Sequence, residues 1–358
     1  MSFASAETAG HNVSGLPAAA RALREAALAG VQVCWLRAGG YGWAPSPSTR
    51  AEMLRAAGAM EVRGLDAADD CPPADDGPVL VIVGEALVEA AAIRATLARG
   101  SPAHPALVLA ETGDNLPAVA ASEGRAALDA AGRAILAATG KAGDGIVSRN
   151  LNRPISRRIS AAMLRLPWVR PDHVTFATAL LGVAMFACLA FLAGRAGLVA
   201  GAVLFQVASV IDGVDGEIAR ATFRSTARGA LFDSLVDAAT NLGFVAGVVI
   251  HVYRAGDLTS AAIGGAGLGL LALGLTVIGH RSRIEGGPFS FDALKDRYRR
   301  KDAPWLNLLV WLTMRDFAAL LAVALVVLGQ TPAMVTIFAV IVAGWLAVVL
   351  ATPARVTV

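Results

Sequence analysis

The 358-residue chain is 56% hydrophobic and 16% charged, with a mean hydropathy of +0.58, which is too apolar for an ordinary soluble domain. Its formal charge of +3 is too small to imply a nucleic-acid partner, and many of its arginines flank apolar runs, where they mark topology and phosphate contacts. Cys34, Cys71 and Cys188 have neither CxxC nor metal-ligand spacing, which argues against a disulfide framework or a zinc site.

The opening MSFASAETAGHNVSG is polar, so no leader is expected there, and the first 140 residues hold no spanning segment. This part is expected to stay in the cytoplasm. From about residue 15 to 140, Ala-rich helical stretches alternate with the β-like runs VQVCWL (31–36), PVLVIVG (78–84) and ALVLA (106–110), which predicts a small α/β domain over residues 1–140. PVLVIVGEALVEAAAIRATLA predicts a buried strand, a turn and a helix, the βα unit of a parallel sheet. ADDCPPADDGP (68–78) reads as a solvated loop. Gly39, Gly40 and Gly42 lack the order of a phosphate-binding loop and read as a plain loop too.

From Lys141 the composition changes. SRNLNRPISRRISAAMLRLPWVR (148–170) carries six arginines among apolar residues, and Pro154 suits the first turn of a helix. Ile155, Ile159, Ala162, Met163 and Leu166 recur at helical spacing, away from Arg157, Arg158 and Arg165. The pattern predicts an interfacial amphipathic helix at about 149–166, with arginines reaching lipid head groups; a solvated basic linker is the bland alternative. Apolar segments follow at 174–194, 197–218, 230–252, 259–279, 306–329 and 332–351, most near the ~20 residues that a bilayer core requires. They predict six transmembrane helices in a domain spanning 141–358. Seven Lys or Arg residues in RSRIEGGPFSFDALKDRYRRK (281–301), and Arg220, Arg224 and Arg228, place those two loops in the cytoplasm by the positive-inside rule. Both termini are then cytoplasmic, and the inner membrane is the expected location.

The most informative stretch is DGVDGEIARATFRSTARGALFDSLVD (212–237). An unpaired carboxylate in a membrane costs on the order of 2.5–3.5 kcal/mol on insertion scales, yet Asp212, Asp215, Asp233 and Asp237 all adjoin apolar runs. An i, i+3 pair and an i, i+4 pair each share one helix face, so two helices can aim all four acids at one point. Oxygen donors of this kind suit Mg2+ or Mn2+, and four can hold two ions bridging a diphosphate, which points to phosphoryl or phosphodiester transfer. Small residues at 213, 216, 219 and 229 keep the helix faces thin for a base or a phosphate, although close helix packing is, taken alone, the commoner explanation. Arg220 is placed to clamp an anion. Glu217 points off the aspartate face as a solvated or arginine-paired side chain. Asp237, one turn deeper than Asp233, is the candidate general base. A transporter or channel with arginine-paired acids is the alternative of another class.

In these residues the chain resembles the CDP-alcohol phosphotransferases, whose pattern is DxxDGxxAR, a short interval, then GxxxDxxxD. Asp212, Asp215, Gly216, Ala219 and Arg220 fill the first half, and Gly229, Asp233 and Asp237 the second. The resemblance implies six spans, transfer from a CDP-linked alcohol such as CDP-diacylglycerol to an alcohol acceptor, release of CMP, a magnesium or manganese requirement, and a homodimer. It assigns metal ligation to Asp212, Asp215 and Asp233, a metal-adjacent base to Asp237, and the CDP pocket to Gly216, Ala219, Arg220 and Gly229. RPDHVT (170–175) is similar to the family's Pro-Asn-x-x-Thr helix start, with Asp172 in place of Asn as a helix cap. The N-terminal domain is similar, more weakly, to nucleotidyltransferase domains fused to members that make CDP-inositol and join it to inositol phosphate. It lacks their glycine-rich start, and Gly84-Glu85 stands where a metal-binding aspartate belongs, so an eroded, structural or regulatory domain is expected. For a polyol phosphate acceptor, Arg153, Arg157, Arg281, Arg283 and Arg315 are the available arginines; an ion pair of Arg315 with Asp316 and a snorkelling side chain are the competing readings.

Overall fold

A computed structural model describes residues 1–39, 43–64, 79–110, 121–141, 143–284 and 314–351. The loop expected at 68–78 and glycines 40 and 42 lie outside them. The chain divides into two compact units. One comprises Met1–Ala138 with Leu164–Pro167 and Ala221–Phe223, and the other Thr139–Met163, Trp168–Arg220 and the chain from Arg224 onward.

The first unit is α/β. Strand β1 (Ser2–Phe3) runs parallel to β5 (Arg37–Ala38), and β4 (Val33–Trp35) parallel to β6 (Glu61–Arg63). β2 (Asn12–Val13) and β3 (Leu16–Pro17) form a small antiparallel hairpin. Helices α1 (Ala6–Gly10), α2 (Ala18–Leu28), α3 (Pro47–Ala57), α4 (Ala90–Arg99) and α5 (Ala121–Ala137) accompany them. Phe3, Leu23, Leu36, Met53, Ile93, Leu107 and Leu128 are buried in one core. The expected strands at 78–84 and 106–110 are present as β7 (Val79–Ile82) and β8 (Leu107–Ala110), but they pair antiparallel, not as neighbours in a parallel βα unit. Before α4 the chain makes an extra change of direction through the tight turn Gly84–Ala86, where Leu87 takes a left-handed φ of 45°. The parallel neighbour of this edge is β1, through a bridge between Ser2 and Val83; the polar opening residues gave no strand signal.

The second unit is helical. A π-turn over Ser148–Asn152 leads into α6 (Arg153–Met163), followed by α7 (Pro171–Phe191), α8 (Gly194–Ala221), α9 (Ala227–Arg254), α10 (Leu258–Ile284), α11 (Arg315–Val327) and α12 (Thr331–Ala351). Among the described residues five helices are long and apolar enough to cross a membrane: α7, α8, α9, the Leu258–Arg281 part of α10, and α12. The fifth expected span is described only from Met314, because residues 306–313 fall outside the description. α7 begins with Pro171 inside its first turn and Arg170 as N-cap. Asp172 is therefore a first-turn acid favoured by the helix dipole and not the cap that the sequence suggested.

α9 packs on α7 and α10, and α10 packs on α12. Met185, Leu189, Phe205, Phe244, Val248, Val326 and Val335 form the shared core, with the rings of Phe205 and Phe244 stacked at 4.1 Å. Bare helix surface lets the backbones approach here, as in other membrane bundles. A Cβ on Gly201 would lie 2.3 Å from Leu189 Cγ, and one on Gly247 would lie 2.7 Å from Leu189 Cβ. Overpacking of this sort costs about 1–3 kcal/mol. Gly201→Leu and Gly247→Leu should therefore lower the thermal unfolding midpoint in detergent, whereas Gly265→Ala, with nothing within 4 Å of its added Cβ, should leave it unchanged or raise it.

Candidate active site

Helix α8 continues without a break from its apolar part through the first half of the motif, so Asp212 and Asp215 share a face. α9 starts at Thr226, whose hydroxyl accepts the Gly229 amide at 3.0 Å, and this cap sets the register that brings Asp233 and Asp237 onto one face, a turn apart. The cap also bears on Gly229, where a Cβ would sit 3.1 Å from Thr226 Oγ1.

Asp212, Asp233 and Asp237 line one cavity of about 840 Å3 together with Arg153 and Arg315. The cavity has a polar end and an apolar depth, the latter walled by Phe205, Phe244, Leu271, Phe338 and Trp345. Asp215 is not part of the lining and is 6% exposed. Thr175 Oγ1 donates to its Oδ2 at 2.5 Å and the Gly216 amide to its Oδ1 at 2.5 Å. The threonine of the RPDHVT start thus has a definite task. Arg315, at the head of α11, pairs with Asp212 at 3.2 Å and with Asp237, reaching carboxylates from both halves of the motif. It is not paired with Asp316 as the sequence alternative had it. Asp316 Oδ2 instead accepts the Ser148 amide at 2.6 Å.

Glu217 is fully buried, which removes the solvated reading and retains the arginine-paired one. Arg153 Nη1 donates to it at 2.9 Å, and the Ser156 and Ser160 hydroxyls each donate at 2.6 Å. Arg153 also holds Asp144 through Nε at 2.8 Å and Nη2 at 3.0 Å, and reaches the Gly213 carbonyl at 3.3 Å. A Cβ on Gly213 would lie 3.1 Å from Arg153 Nη1, so a bare helix surface is what admits the guanidinium. Burial alone would oppose ionisation of Asp144, but the hydrogen bonds and charge of Arg153 outweigh it and hold this carboxyl below the usual aspartate range. The expected interfacial helix therefore turns its serines and Arg153 inward, while Ile155 at 42% and Leu166 at 44% stay exposed. Serines at i and i+4 beside an arginine were the signal for this buried face.

The remaining motif residues lie off the cavity lining. Arg220 folds back over its own helix, Nε donating to the Thr139 carbonyl at 2.8 Å. A Cβ on Gly216 would come within 2.9 Å of Arg220 Nη1, and Arg220 Nη2 is buried with no hydrogen-bond partner among the described residues. That leaves a donor available to an anion. Ala219 and Gly229 are also outside the lining. Of the other arginines, Arg157 lies against Gly140, Arg281 donates to the Val349 carbonyl at 2.5 Å, and the side chain of Arg283 lies outside the described residues. The carboxylates supply the oxygen donors that magnesium or manganese takes. Among the described residues, however, no three acids, histidines or cysteines are gathered closely enough to hold one metal ion.

Residues 168–289, which contain both halves of the motif, match the family model described as CDP-alcohol phosphatidyltransferase. Three curated proteins, each named bifunctional IPC transferase and DIPP synthase, are similar to part of the chain. The Aquifex aeolicus protein is 39% identical over 115 residues, covering 32% of this chain and 25% of that protein. The Archaeoglobus fulgidus protein is 38% identical over 138 residues, covering 38% and 26%. The Rubrobacter xylanophilus protein is 40% identical over 145 residues, covering 40% and 30%. The chain thus matches less than a third of the length of these relatives.

The Asp144–Arg153 pair gives a pH test. A carboxyl whose folded pKa is depressed contributes stability above its unfolded pKa of about 3.9 and loses it as pH falls through the folded value. Asp144→Asn should lower the thermal midpoint at pH 7, with a cost of about 2 kcal/mol for the lost charge-assisted bonds. The gap between variant and wild type should close below about pH 4, and a gap that persists unchanged at low pH would remove the ion pair as its cause.

Proposed function

We propose that this chain is a multi-pass membrane transferase that moves a phospho-alcohol group from a CDP-alcohol to a hydroxyl acceptor and releases CMP. One observation carries the reading. Asp212, Asp233 and Asp237 come from two helices to line a single cavity with Arg153 and Arg315, inside a region that matches the CDP-alcohol phosphatidyltransferase family. The acceptor oxygen attacks the phosphorus that carries the donor alcohol, the bond from that phosphorus to CMP breaks, and the hydroxyl proton passes to Asp237. Arg315 lies against Asp237 and places a positive charge beside that carboxylate. Magnesium or manganese, in the two-ion arrangement that the four aspartates suggest, would supply charge neutralisation at the diphosphate. Arg220, through its free Nη2, together with Gly216, Ala219 and Gly229, is assigned to the nucleotide.

Of the five candidate arginines for an acceptor phosphate, Arg315 is the best supported. Arg153 spends its guanidinium on Asp144, Glu217 and the Gly213 carbonyl. The apolar depth of the cavity favours a lipid-linked donor such as CDP-diacylglycerol, and hence phospholipid synthesis. A second reading keeps the chemistry but uses a CDP-inositol-like donor and a soluble polyol phosphate, and the names of the relatives favour it. Orientation with the site and both termini toward the cytoplasm, in an inner membrane and as a homodimer, completes the proposal. The N-terminal domain is proposed to be non-catalytic. At the end of its strand β7 the Glu85 carboxylate is buried and already accepts the Ala4 amide at 2.6 Å and the Thr8 hydroxyl at 2.7 Å.

Purified protein given magnesium and either CDP-diacylglycerol or CDP-inositol, with a panel of acceptors, should release CMP from one of the two donors. No CMP from any donor would sink the transferase reading in favour of a transporter or channel. Asp237→Asn should lower turnover by roughly 10²-fold or more while CDP affinity stays close to wild type; retained turnover would remove Asp237 as the base.

A further inference from the structure

The acids and arginines around the cavity mouth form a closed circuit that the motif alone does not define. On α8, Glu217 accepts from Arg153, Ser156 and Ser160 of α6. Arg153 in turn grips Asp144, in the segment that precedes α6, with two hydrogen bonds. Four residues further on, the Ser148 amide donates to Asp316, the second residue of α11. The close approach needs a bare backbone, since a Cβ on Gly145 would lie 3.1 Å from Asp316 Oδ2 and 2.5 Å from Met314 Sδ. Next to Asp316, Arg315 returns to α8 at Asp212 and reaches α9 at Asp237.

We propose that Glu217 and Asp316 are positioning residues that act on the reaction through this circuit. Glu217 fixes Arg153 and so the segment from Lys141 to Ser148, and that segment fixes Asp316, which seats Arg315 against Asp212 and Asp237. The physical basis is that a buried carboxylate with three donors has one low-energy arrangement and holds its partners there. Asp144, Ser148 and Asp316 line the cavity alongside Arg153, Arg315, Asp212 and Asp237, so the polar wall and the arginine that faces the aspartates belong to one network. The inference rests on the transferase reading for its kinetic arm but not for its structural one.

The structural arm is hydrogen exchange on the purified full chain. Glu217→Gln keeps the volume of the side chain and removes its charge, and Asp316→Asn does the same at the far side of the circuit. Both should speed exchange in the peptide covering residues 141–152, and Glu217→Gln should also speed it at the start of α11. Unchanged exchange at α11 in Glu217→Gln would overturn the circuit, and if that variant does not fold, unchanged exchange at 141–152 in Asp316→Asn would do so. In the kinetic arm each single variant should lower kcat by roughly tenfold, within the range that an ångström-scale misplacement costs, with the donor KM little changed. Combined with Arg315→Lys, Glu217→Gln should add little further loss, because both act at one place. Multiplying losses would mean that Glu217 works independently of Arg315 and would overturn the proposal. Wild-type protein that releases no CMP would defeat the transferase reading alone, and the exchange result would still decide the circuit.

Discussion

A carboxylate taken out of water has to be given donors or a counter-charge, and α8 carries three of them, Asp212, Asp215 and Glu217, within a turn and a half of one another. Each is compensated differently, and the architecture follows from those differences. Asp215 receives one hydroxyl from α7 and its own helix amide, so α7 must start close enough for Thr175 to reach it. Glu217 receives two serine hydroxyls and a guanidinium from α6, which pins that helix with its polar face inward. Asp212 alone is left toward the cavity, sharing Arg315 with Asp237. Asp215 and Glu217 are held by hydroxyls, an amide and a guanidinium, whereas Asp212 meets Asp237 through a shared arginine at the cavity.

That division was only partly legible in the sequence. Five of the six expected spans were readable because hydropathy reports a property of single residues, and the faces of the aspartate pairs were readable because helical spacing is local. Glu217 was correctly turned off the aspartate face, but its burial depends on α6, a separate segment whose docking leaves no mark on the motif. Apolar periodicity pointed to Ile155, Ile159, Ala162, Met163 and Leu166, which are exposed or only half-buried. The buried side was written in Arg153, Ser156 and Ser160, polar residues that hydrophobic patterning ignores. The antiparallel pairing of β7 with β8 escaped notice for a related reason. The turn that follows β7 ends on a left-handed Leu87, a residue type that gives no warning of positive φ.

Glycine in the motif has two separate explanations here. Gly213 admits the guanidinium of Arg153 from another helix, whereas Gly216 admits that of Arg220 from its own. Both are close approaches of a cation to helix backbone, and neither is helix-on-helix packing of the kind seen at Gly201 and Gly247. The two glycines nearest the aspartates therefore serve charge placement, and those deeper in the bilayer region serve packing. A single small-residue rule would have merged them.

The two arginines of the cavity illustrate why position in a pocket does not establish a role. Arg153 and Arg315 both line it, and a list of basic side chains treats them alike. Arg153 meets two carboxylates and a carbonyl, and a guanidinium has only five N–H donors. An incoming phosphate would have to compete with a buried ion pair on each side, losing the compensation of Glu217 or Asp144 as it gained its own. Arg315 faces the reverse situation. Its partners are the same aspartates that the proposed reaction assigns to cation and proton chemistry, so anything that takes charge at Asp212 or Asp237 also changes what holds Arg315. Its electrostatics are coupled to the occupied state of the site, and those of Arg153 are settled by folding.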